Sequence, residues 1–521
     1  MNASKSNSLE RDAAVVRETA RTIGSKRDYD GLIEKAGDAQ CVLIGEASHG
    51  THEFYATRAE LTRRLIEEKG FRAVALEADW PDTFRVHRYV SGRSEDENAN
   101  IALSDFRRFP AWMWRNTVVL EFVEWLRGWN LRRPLEERAG FYGLDLYSMH
   151  SSIESVLGYL AKVDPEAARR ARNRYACFEH FSIEPQLYGH ATVIRGKEPC
   201  EEEVVAQLVE IRRQYAELIS RDGHVAEEDF FAAEQNARLV ANAERYYRAM
   251  FHGRDESWNL RDSHMFETFK QIVDYLDGGR AKVIVWAHNS HLGDARATEM
   301  SERGELNLGQ LVREKFGRGA FNIGFSTYSG TVTAASDWGE PAERKRVRPG
   351  LRDSYEELFH ATGVPRFWLD LRAENESNDL LGKARLQRAI GVIYRPETER
   401  WSHYFATRLP QQFDAMIHLD QSCALQPLER TSEWDRGELP ETWRKHCDGQ
   451  HLFSLLRPAV KRRSRDMSLA FLIWHQKLRR SGMFATRSLL AWGTFRNPAT
   501  TLGGFISAPE RAVRCVRSAT D

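Results

Sequence analysis

Four short apolar segments, far apart in the chain, each end in acidic residues or histidines. They read CVLIGEASHG (41–50), AVALEAD (73–79), FYGLDLY (141–147) and VIVWAHNSH (283–291). Their apolar parts do not alternate with polar residues, which is typical of strands buried on both faces of a parallel sheet. We therefore predict an α/β fold with a mostly parallel central sheet flanked by helices.

The polar ends of these segments predict a functional site. In open parallel sheets, ligands bind just beyond the carboxyl ends of the strands. Titratable side chains that cluster in such a place perturb one another and are typical of catalytic centres. The side chains expected there are Glu46, His49, Glu77, Asp145, His288 and His291.

Two arginines lie on the apolar faces of predicted helices. Arg58 belongs to a helix expected from Phe54 to Lys69, and Arg261 to the helix that precedes Val283. Each side chain should point at the sheet, where a buried guanidinium needs a carboxylate or an oxyanion as partner. For Arg58 a structural ion pair is an equal alternative. For Arg261 we favour a role in the site.

Five motifs of the chain resemble those of the erythromycin esterase family. They are GEASHGTHEFYATRAEL, ALEADWP, GLDLYS, NLRDSHM and WAHNSH, in family order between about residue 39 and about residue 428. The resemblance implies a hydrolase that cleaves an ester or macrolactone, with a macrolide as small-molecule substrate and macrolide resistance as a consequence. It also implies that His49 is the general base. The remaining family site positions fall on Glu46, Arg58, Glu77, His288 and His291, and Arg261 matches a further family arginine.

Ester hydrolysis requires a base for water, donors for the oxyanion and an acid for the leaving alkoxide. An imidazole such as that of His49 suits the base at neutral pH. Glu46 or Glu77 can orient that imidazole. The arginines or a protonated histidine can stabilise the oxyanion, and either His288 or His291 can position water or protonate the leaving group.

Three other interpretations of these residues stand beside this one. Ser48 as a nucleophile is disfavoured, because the nucleophile elbow needs glycine two residues earlier, where this chain has Glu46. A zinc or manganese site built from the histidines and carboxylates stays open, although no recognised metal-ligand spacing occurs. A purely structural cluster does not readily explain three histidines and two acids at separate strand ends. We expect no cofactor, with a metal ion as the alternative.

Aromatic residues are concentrated between positions 80 and 147. We expect Trp80 and Tyr147 to line the site as substrate-binding residues together with Arg58, Arg261 and Asp145, since aromatic walls suit a large apolar ligand. The segment 107–115 is expected to form a loop over the site.

Composition favours a cytoplasmic enzyme. Lysine plus arginine equals aspartate plus glutamate at 75 each, so the overall charge does not indicate a nucleic-acid partner. We expect no signal peptide, because the first forty residues are polar, and no transmembrane segment. The six scattered cysteines predict free thiols in a reducing compartment.

The motifs divide the chain into three parts. Residues 1–38 are expected to form a helical lead-in, 39–430 the catalytic domain with a helical insertion at about 151–256, and 431–521 a basic C-terminal extension. Later strands are predicted at 321–325, 367–371, 390–394 and 415–419. Residues 451–521 carry a formal charge of +10 and the rest −10. The extension can therefore contact an acidic surface, including that of the main domain.

Overall fold

The computed structural model describes residues 2–181, 186–222 and 224–437. Residues 438–521 of the predicted extension (431–521), including the basic segment 451–521, lie outside the described residues. The strands are β1 (Arg21–Thr22), β2 (Cys41–Ile44), β3 (Ala73–Asp79), β4 (Gly140–Asp145), β5 (Val283–Trp286), β6 (Ala320–Ser326), β7 (Ser329–Ala334), β8 (Glu343–Val347), β9 (Arg366–Asp370), β10 (Arg385–Arg388), β11 (Tyr404–Thr407), β12 (Ala415–Leu419) and β13 (Gln421–Ser422).

Twenty α-helices accompany these strands in the described residues. They are α1 (Asn2–Thr19), α2 (Asp30–Gly37), α3 (His52–Lys69), α4 (Trp80–Val90), α5 (Ala99–Ala102), α6 (Thr117–Asn130), α7 (Met149–Val163), α8 (Pro165–Tyr175), α9 (Gln186–Val193), α10 (Glu201–Asp222), α11 (His224–Ala249), α12 (Arg254–Tyr275), α13 (Asn289–Leu292), α14 (Glu299–Glu302), α15 (Leu308–Phe316), α16 (Tyr355–Ala361), α17 (Glu376–Leu381), α18 (Glu399–Ser402), α19 (Leu409–Gln412) and α20 (Ser432–Arg436).

The central sheet has eight strands in the order β1-β9-β12-β6-β2-β5-β3-β4. The six strands from β12 to β4 are parallel, and β9 and β1 add an antiparallel edge. This arrangement confirms the predicted fold class. Two smaller sheets, β10-β11 and β13-β7-β8, follow in the second half of the chain.

Each face of the central sheet packs on its own layer of helices. Val42 and Ile44 of β2 belong to a core cluster with apolar residues of α3 and α6. Cys41 and Leu43 point the other way, into a cluster with residues of α7, α11 and α12. Burial on both faces explains why the strand segments are apolar without alternation.

The region of the predicted insertion, 151–256, contains the helices α7 to α11. The long helices α10 and α11 pack against each other. Helix α11 also packs on α7 and on α12, the helix that precedes β5, so the insertion lies against α12. No helix in the described ranges has both the length and the apolarity needed to cross a bilayer.

Three predictions about elements differ from the structure. The segment 390–394 is a loop with isolated bridges from Ile390 to Ser48 and from Ile393 to Ala335, because its central residues form part of a cavity wall and do not join a sheet. The lead-in contains α1 and α2 but also β1, which pairs with β9.

The third difference concerns the thiols. Cys177 and Cys200 form a disulfide, so the prediction of free thiols is wrong for this pair. Cys177 follows α8 and Cys200 precedes α10, and packing of these two helices brings the Cα atoms to 6.3 Å. Cys41 is free and buried.

Candidate active site

A cavity of about 270 Å³ lies beyond the carboxyl ends of β2, β3, β4 and β5. We call it the strand-end cavity. Its walls include most of the residues predicted from the sequence, namely His49, Glu77, Asp145, Tyr147, Arg261, His288 and His291. Glu46, Arg58 and Trp80 do not line it.

The loop between β2 and α3 presents His49 to this cavity. Gly45 lies so close to Asn289 that a Cβ atom would be 2.2 Å from the Asn289 side-chain oxygen, and a Cβ at Gly50 would be 1.8 Å from the Thr333 carbonyl oxygen. The tight turn brings Glu46 Oε1 to 2.9 Å from His49 Nδ1. A carboxylate at this distance accepts the Nδ1 proton, so the Nε2 lone pair is left to act as a base.

Arg58 lies next to Glu46, on the side away from the cavity. The side chain is fully buried, with Nη1 3.4 Å from Glu46 Oε1. Its guanidinium carbon lies 4.4 Å from the ring centre of Tyr55 and 4.9 Å from that of Trp286. The guanidinium points toward the sheet, and the side chain does not line the cavity. Arg58 is linked to the cavity through Glu46, which in turn contacts His49.

His288 faces His49 across the cavity, with ring centroids 4.8 Å apart. The backbone N–H of Ser290 donates to His288 Nδ1 at 3.2 Å, which places the proton on Nε2 in the neutral ring. Burial, reinforced by the nearby His49, holds the pKa of His288 well below 6.5. This histidine is consequently a neutral hydrogen-bond donor at neutral pH.

His291 is held in the charged form by two carboxylates. Its Nδ1 lies 2.9 Å from both carboxylate oxygens of Asp262, and its Nε2 lies 3.3 Å from Glu77 Oε1. Burial opposes the charge, but Asp262 and Glu77 outweigh it and raise the pKa of His291 to about 9. Arg261 Nη1 lies 3.1 Å from the same Nε2, to which it donates a hydrogen bond when that nitrogen carries no proton.

Arg261 joins the strand ends of β3 and β4. Its Nε and Nη2 donate to the two oxygens of Asp145 at 3.0 and 2.7 Å, and Nη2 also donates to Glu77 Oε1 at 2.7 Å. Burial by itself would raise the pKa values of both acids. At Glu77 the charge of His291 lowers the pKa most, followed by that of Arg261, and at Asp145 Arg261 has the largest lowering effect. The pKa of Asp145 is lowered, and that of Glu77 lies well below 4.5. Arg261 is thus held between two ionised carboxylates, those of Glu77 and Asp145.

Trp80 does not line the cavity, although the sequence predicts that it does. Its ring is buried on the far side of the strand end, stacked with Phe84 and Tyr142 and edge-on to Phe231. It begins α4, and the first turn of that helix directs it into the core instead of the cavity. Tyr147 does line the cavity and carries two guanidinium groups near its ring.

Several residues of the site were not singled out from the sequence. They are Asp79, Asp82, Arg108, Tyr246, Trp258 and Asp262. Asp262 follows Arg261 in the NLRDSHM motif and Asp79 ends the AVALEAD strand, so motif position is the signal that identifies them. Trp258 stacks on His291, with their ring centroids 4.5 Å apart. Segment 107–115 contributes Arg108, Pro110, Ala111, Met113 and Trp114 to the wall, in keeping with the expected loop.

The surroundings of Ser48 and the spacing of the His, Cys, Asp and Glu side chains bear on the serine and metal alternatives. Ser48 is buried, its hydroxyl hydrogen-bonds Thr51, and it does not line the cavity. Across the described part of the chain, no three His, Cys, Asp or Glu side chains are arranged to hold a metal ion. What the arrangement offers is a carboxylate-oriented imidazole, a neutral imidazole opposite it, and two buried cations.

Known proteins resemble this chain over most of its length. YbfO of Bacillus subtilis (strain 168), provisionally named a hydrolase, is 23% identical over 431 residues, which span 76% of this chain and 86% of YbfO. Erythromycin esterase type II of Escherichia coli is 22% identical over 394 residues, 72% of this chain and 90% of that protein.

The fold is shared with solved structures. A Bacillus cereus protein superposes with a TM-score of 0.67 at 19% identity, covering 81% of this chain and 99% of that one. A mutant of erythromycin esterase EreC in its open conformation gives a TM-score of 0.59 at 17% identity, covering 78% of this chain and 96% of EreC.

The sequence pattern that defines erythromycin esterases matches residues 66–422. The matched range contains Glu77, Asp145, Arg261, His288 and His291, and it begins after the loop that carries His49. It covers more than half of the chain, and it agrees with the resemblance of the five motifs. The chain belongs to the erythromycin esterase family.

Proposed function

We propose that this hydrolase cleaves an ester or macrolactone bond with a water molecule activated by His49. The observation that supports this most directly is the Glu46–His49 pair, whose 2.9 Å contact leaves Nε2 as an acceptor in a cavity opposite His288. The family and the erythromycin esterase relatives support the choice of a carboxylic ester. A macrolide is the substrate that this kinship favours, and resistance to it the expected consequence.

The proposed reaction uses His49 twice. Nε2 takes a proton from water as the oxygen attacks the carbonyl carbon, and a tetrahedral oxyanion forms. Collapse of that intermediate breaks the bond to the leaving oxygen, which receives the proton from the His49 imidazolium. The products are an acid and an alcohol, or one hydroxy acid from a lactone.

The other residues of the site stabilise the negative charge of the oxyanion or orient the His49 imidazole. Neutral His288 donates from Nε2 to the oxyanion, a role that suits an imidazole whose pKa is depressed. The Arg261 guanidinium and the His291 imidazolium supply positive potential at the same edge. Glu46, supported by Arg58, holds the tautomer and direction of His49.

The direct test uses purified protein and a panel of macrolides, other lactones and simple esters, with products identified by mass spectrometry. On any substrate found, His49→Ala should lower kcat by about 10² to 10⁴ because the positioned base is lost. His52→Ala, an exposed histidine in the next turn, is the matched control. A His49→Ala protein that melts normally and keeps its turnover would remove His49 from the mechanism.

A metal-dependent hydrolase on the same scaffold is the competing proposal. Exhaustive dialysis against a chelator should leave kcat unchanged if water is activated by His49 alone. Loss of activity that one divalent ion restores would instead make His288, His291, Glu46 and Glu77 candidate ligands. Metal analysis of the protein before and after dialysis completes the comparison.

A further inference from the structure

Helix α10 carries apolar residues on the side that faces away from the rest of the protein. Its inner side is buried, with Val204 and Ile211 in the apolar cluster that includes residues of α8 and α11. On the opposite side, Val205 is 46% exposed and Val209 38% exposed, and Ala206 is exposed beside them. The two valines are one helical turn apart, so they form one continuous apolar surface.

Charges of opposite sign lie at the two ends of this surface. Glu202 lies one turn before the valines, and Arg212 and Arg213 lie one turn after them, and all three are exposed. With 3.6 residues per turn, these charges and the two valines share a strip about 100° wide. We call it the α10 strip. Along the helix axis it is acidic at its start, apolar at its centre and basic at its end.

The order of these groups makes the α10 strip complementary to itself. When two copies of α10 pack antiparallel about an axis near position 207, the valines of one copy meet those of the other. Glu202 of each copy then lies beside Arg213 of the other, so the same opposite-charge pair occurs twice. Parallel packing would place like charges together, which disfavours it. The formal net charge of the whole chain is zero, so no long-range repulsion opposes the approach of a second copy.

A helix face that is only solvated does not call for valines at these positions. Valine loses side-chain freedom in a helix and is a poorer helix former than glutamate or lysine. Burial against a second apolar surface would offset this cost. Single exposed apolar residues are common on protein surfaces. Here, however, the valines lie at the centre of a strip with opposite charges at its ends, which favours an antiparallel helix as the partner.

We propose that the protein forms a two-fold symmetric dimer through the α10 strip. The partner is a second copy of this chain, and the contact is a pair of antiparallel α10 helices with Val205 and Val209 at its centre. Specific dimers usually bury at least about 1,000 Å², and one helix pair is small by that measure, so the association is weak and depends on concentration. The strip does not line the strand-end cavity, so the inference is independent of the proposed reaction.

Sedimentation velocity of the whole chain over a range of concentrations measures this association. The wild-type protein should dimerise with a Kd of about 1–100 µM. Val205→Glu should raise the Kd at least about tenfold, because it places a charge at the centre of the contact. Val209→Glu is the second variant, at a similarly exposed position. Both variants should keep the wild-type circular dichroism and turnover, since both positions are exposed and lie outside the cavity.

An exchange of charges tests the antiparallel orientation. Glu202→Arg and Arg213→Glu should each weaken the dimer, because each places like charges together at both ends of the contact. An equimolar mixture of these two single variants should associate again, since both pairs of a mixed dimer have opposite charges. Glu203→Arg is the matched control. It changes an exposed glutamate about 100° round the helix from Glu202 and should leave the Kd unchanged.

A wild-type protein that stays monomeric over this concentration range would overturn the proposal. So would a dimer that survives both valine substitutions, because another surface, including one that residues 438–521 provide, would then hold it together. A dimer that the valine substitutions weaken but the charge exchange leaves unaffected would overturn the antiparallel arrangement.

Discussion

His291 shows how individual charges are fixed in this site. Its folded-state pKa of about 9 lies above the ordinary value of 6.5. The protonated ring therefore stabilises the folded protein fully below pH 6.5, and this contribution is lost as the pH rises through 9. The same titration removes positive charge from beside Glu77 and Arg261, so activity should fall on the alkaline side.

Replacing Asp262 by Asn should move that alkaline limit. Without the carboxylate on Nδ1, the pKa of His291 should fall by about 1–3 units toward its ordinary value. The alkaline limb of the pH profile of kcat/KM should shift to lower pH with it. NMR titration of His291 measures the same change directly. Asp255→Asn, an exposed acid in the first turn of the same helix, should leave both unaffected.

An unshifted alkaline limb combined with a lowered His291 pKa would show that the imidazolium plays no part in the reaction. An unchanged His291 pKa would instead contradict the role assigned to Asp262. Comparison of melting curves at pH 6 and pH 9 separates both outcomes from simple loss of fold.

Sequence reasoning succeeded at residues whose position is set by the backbone alone. His49, Glu77, Asp145 and His288 follow buried parallel strands, and parallel strands end at one edge of a sheet. It failed where position depends on packing between distant elements. Trp80 follows a strand end too, but the first turn of α4 directs its ring into the core. The partnership of Asp262 with His291 depends on how α12 lies against β5, which no local pattern records.

The loop between β2 and α3 acts as a unit with β7. Gly50 accepts hydrogen bonds from the backbone N–H groups of Thr333 and Leu425 at 2.9 and 2.8 Å. A side chain at Gly50 would meet the Thr333 carbonyl at 1.8 Å, and a backbone atom cannot yield as a side chain does. The position of His49 therefore depends on β7, which belongs to one of the smaller sheets and not to the central sheet.

Gly50→Ala should lower both stability and activity. The loop or β7 must move, at a cost of about 1–3 kcal/mol, and His49 moves with the loop. Gly158→Ala in α7 is the matched control, because a Cβ there meets no atom within 4 Å and alanine favours a helix by about 0.5–1 kcal/mol. Thermal melting and kcat report the two effects. A Gly50→Ala protein with wild-type values would show that the loop adapts freely.

Element boundaries followed from local signals where those signals were strong. The predicted end of α3 at Lys69 is the observed one, and the next residue, Gly70, has a φ of 70°, a conformation that glycine adopts readily. The segment 390–394 has the β-branched composition of a strand but lies over the cavity, where Gly391, Val392 and Ile393 form part of the wall. An apolar, β-branched composition indicates that a segment is buried. It does not indicate whether the segment is buried in a sheet or in the wall of a cavity.

At the scale of the molecule, the residues that line the cavity in the described part of the chain all lie between positions 49 and 393. A chain shortened to end near Trp443 should therefore keep its turnover number on whatever substrate is found. The removed segment carries the basic charge of residues 451–521, so solubility and salt dependence are expected to change. A shortened protein that unfolds cooperatively but has lost turnover would show that the C-terminal segment reaches the site.

The strand order of the central sheet also has a consequence for synthesis. β5 lies between β2 and β3, although more than 200 residues separate Val283 from Ala73, and the whole helical insertion is made before it. On the ribosome, a nascent chain that has not reached Val283 holds β2 and β3 with their facing edges unpaired. Such edges are open to wrong partners, and contacts this distant in sequence form slowly. Of the four strands whose ends form the cavity, β5 is the last to be made, so His49 and His288 come together only when β5 inserts between β2 and β3.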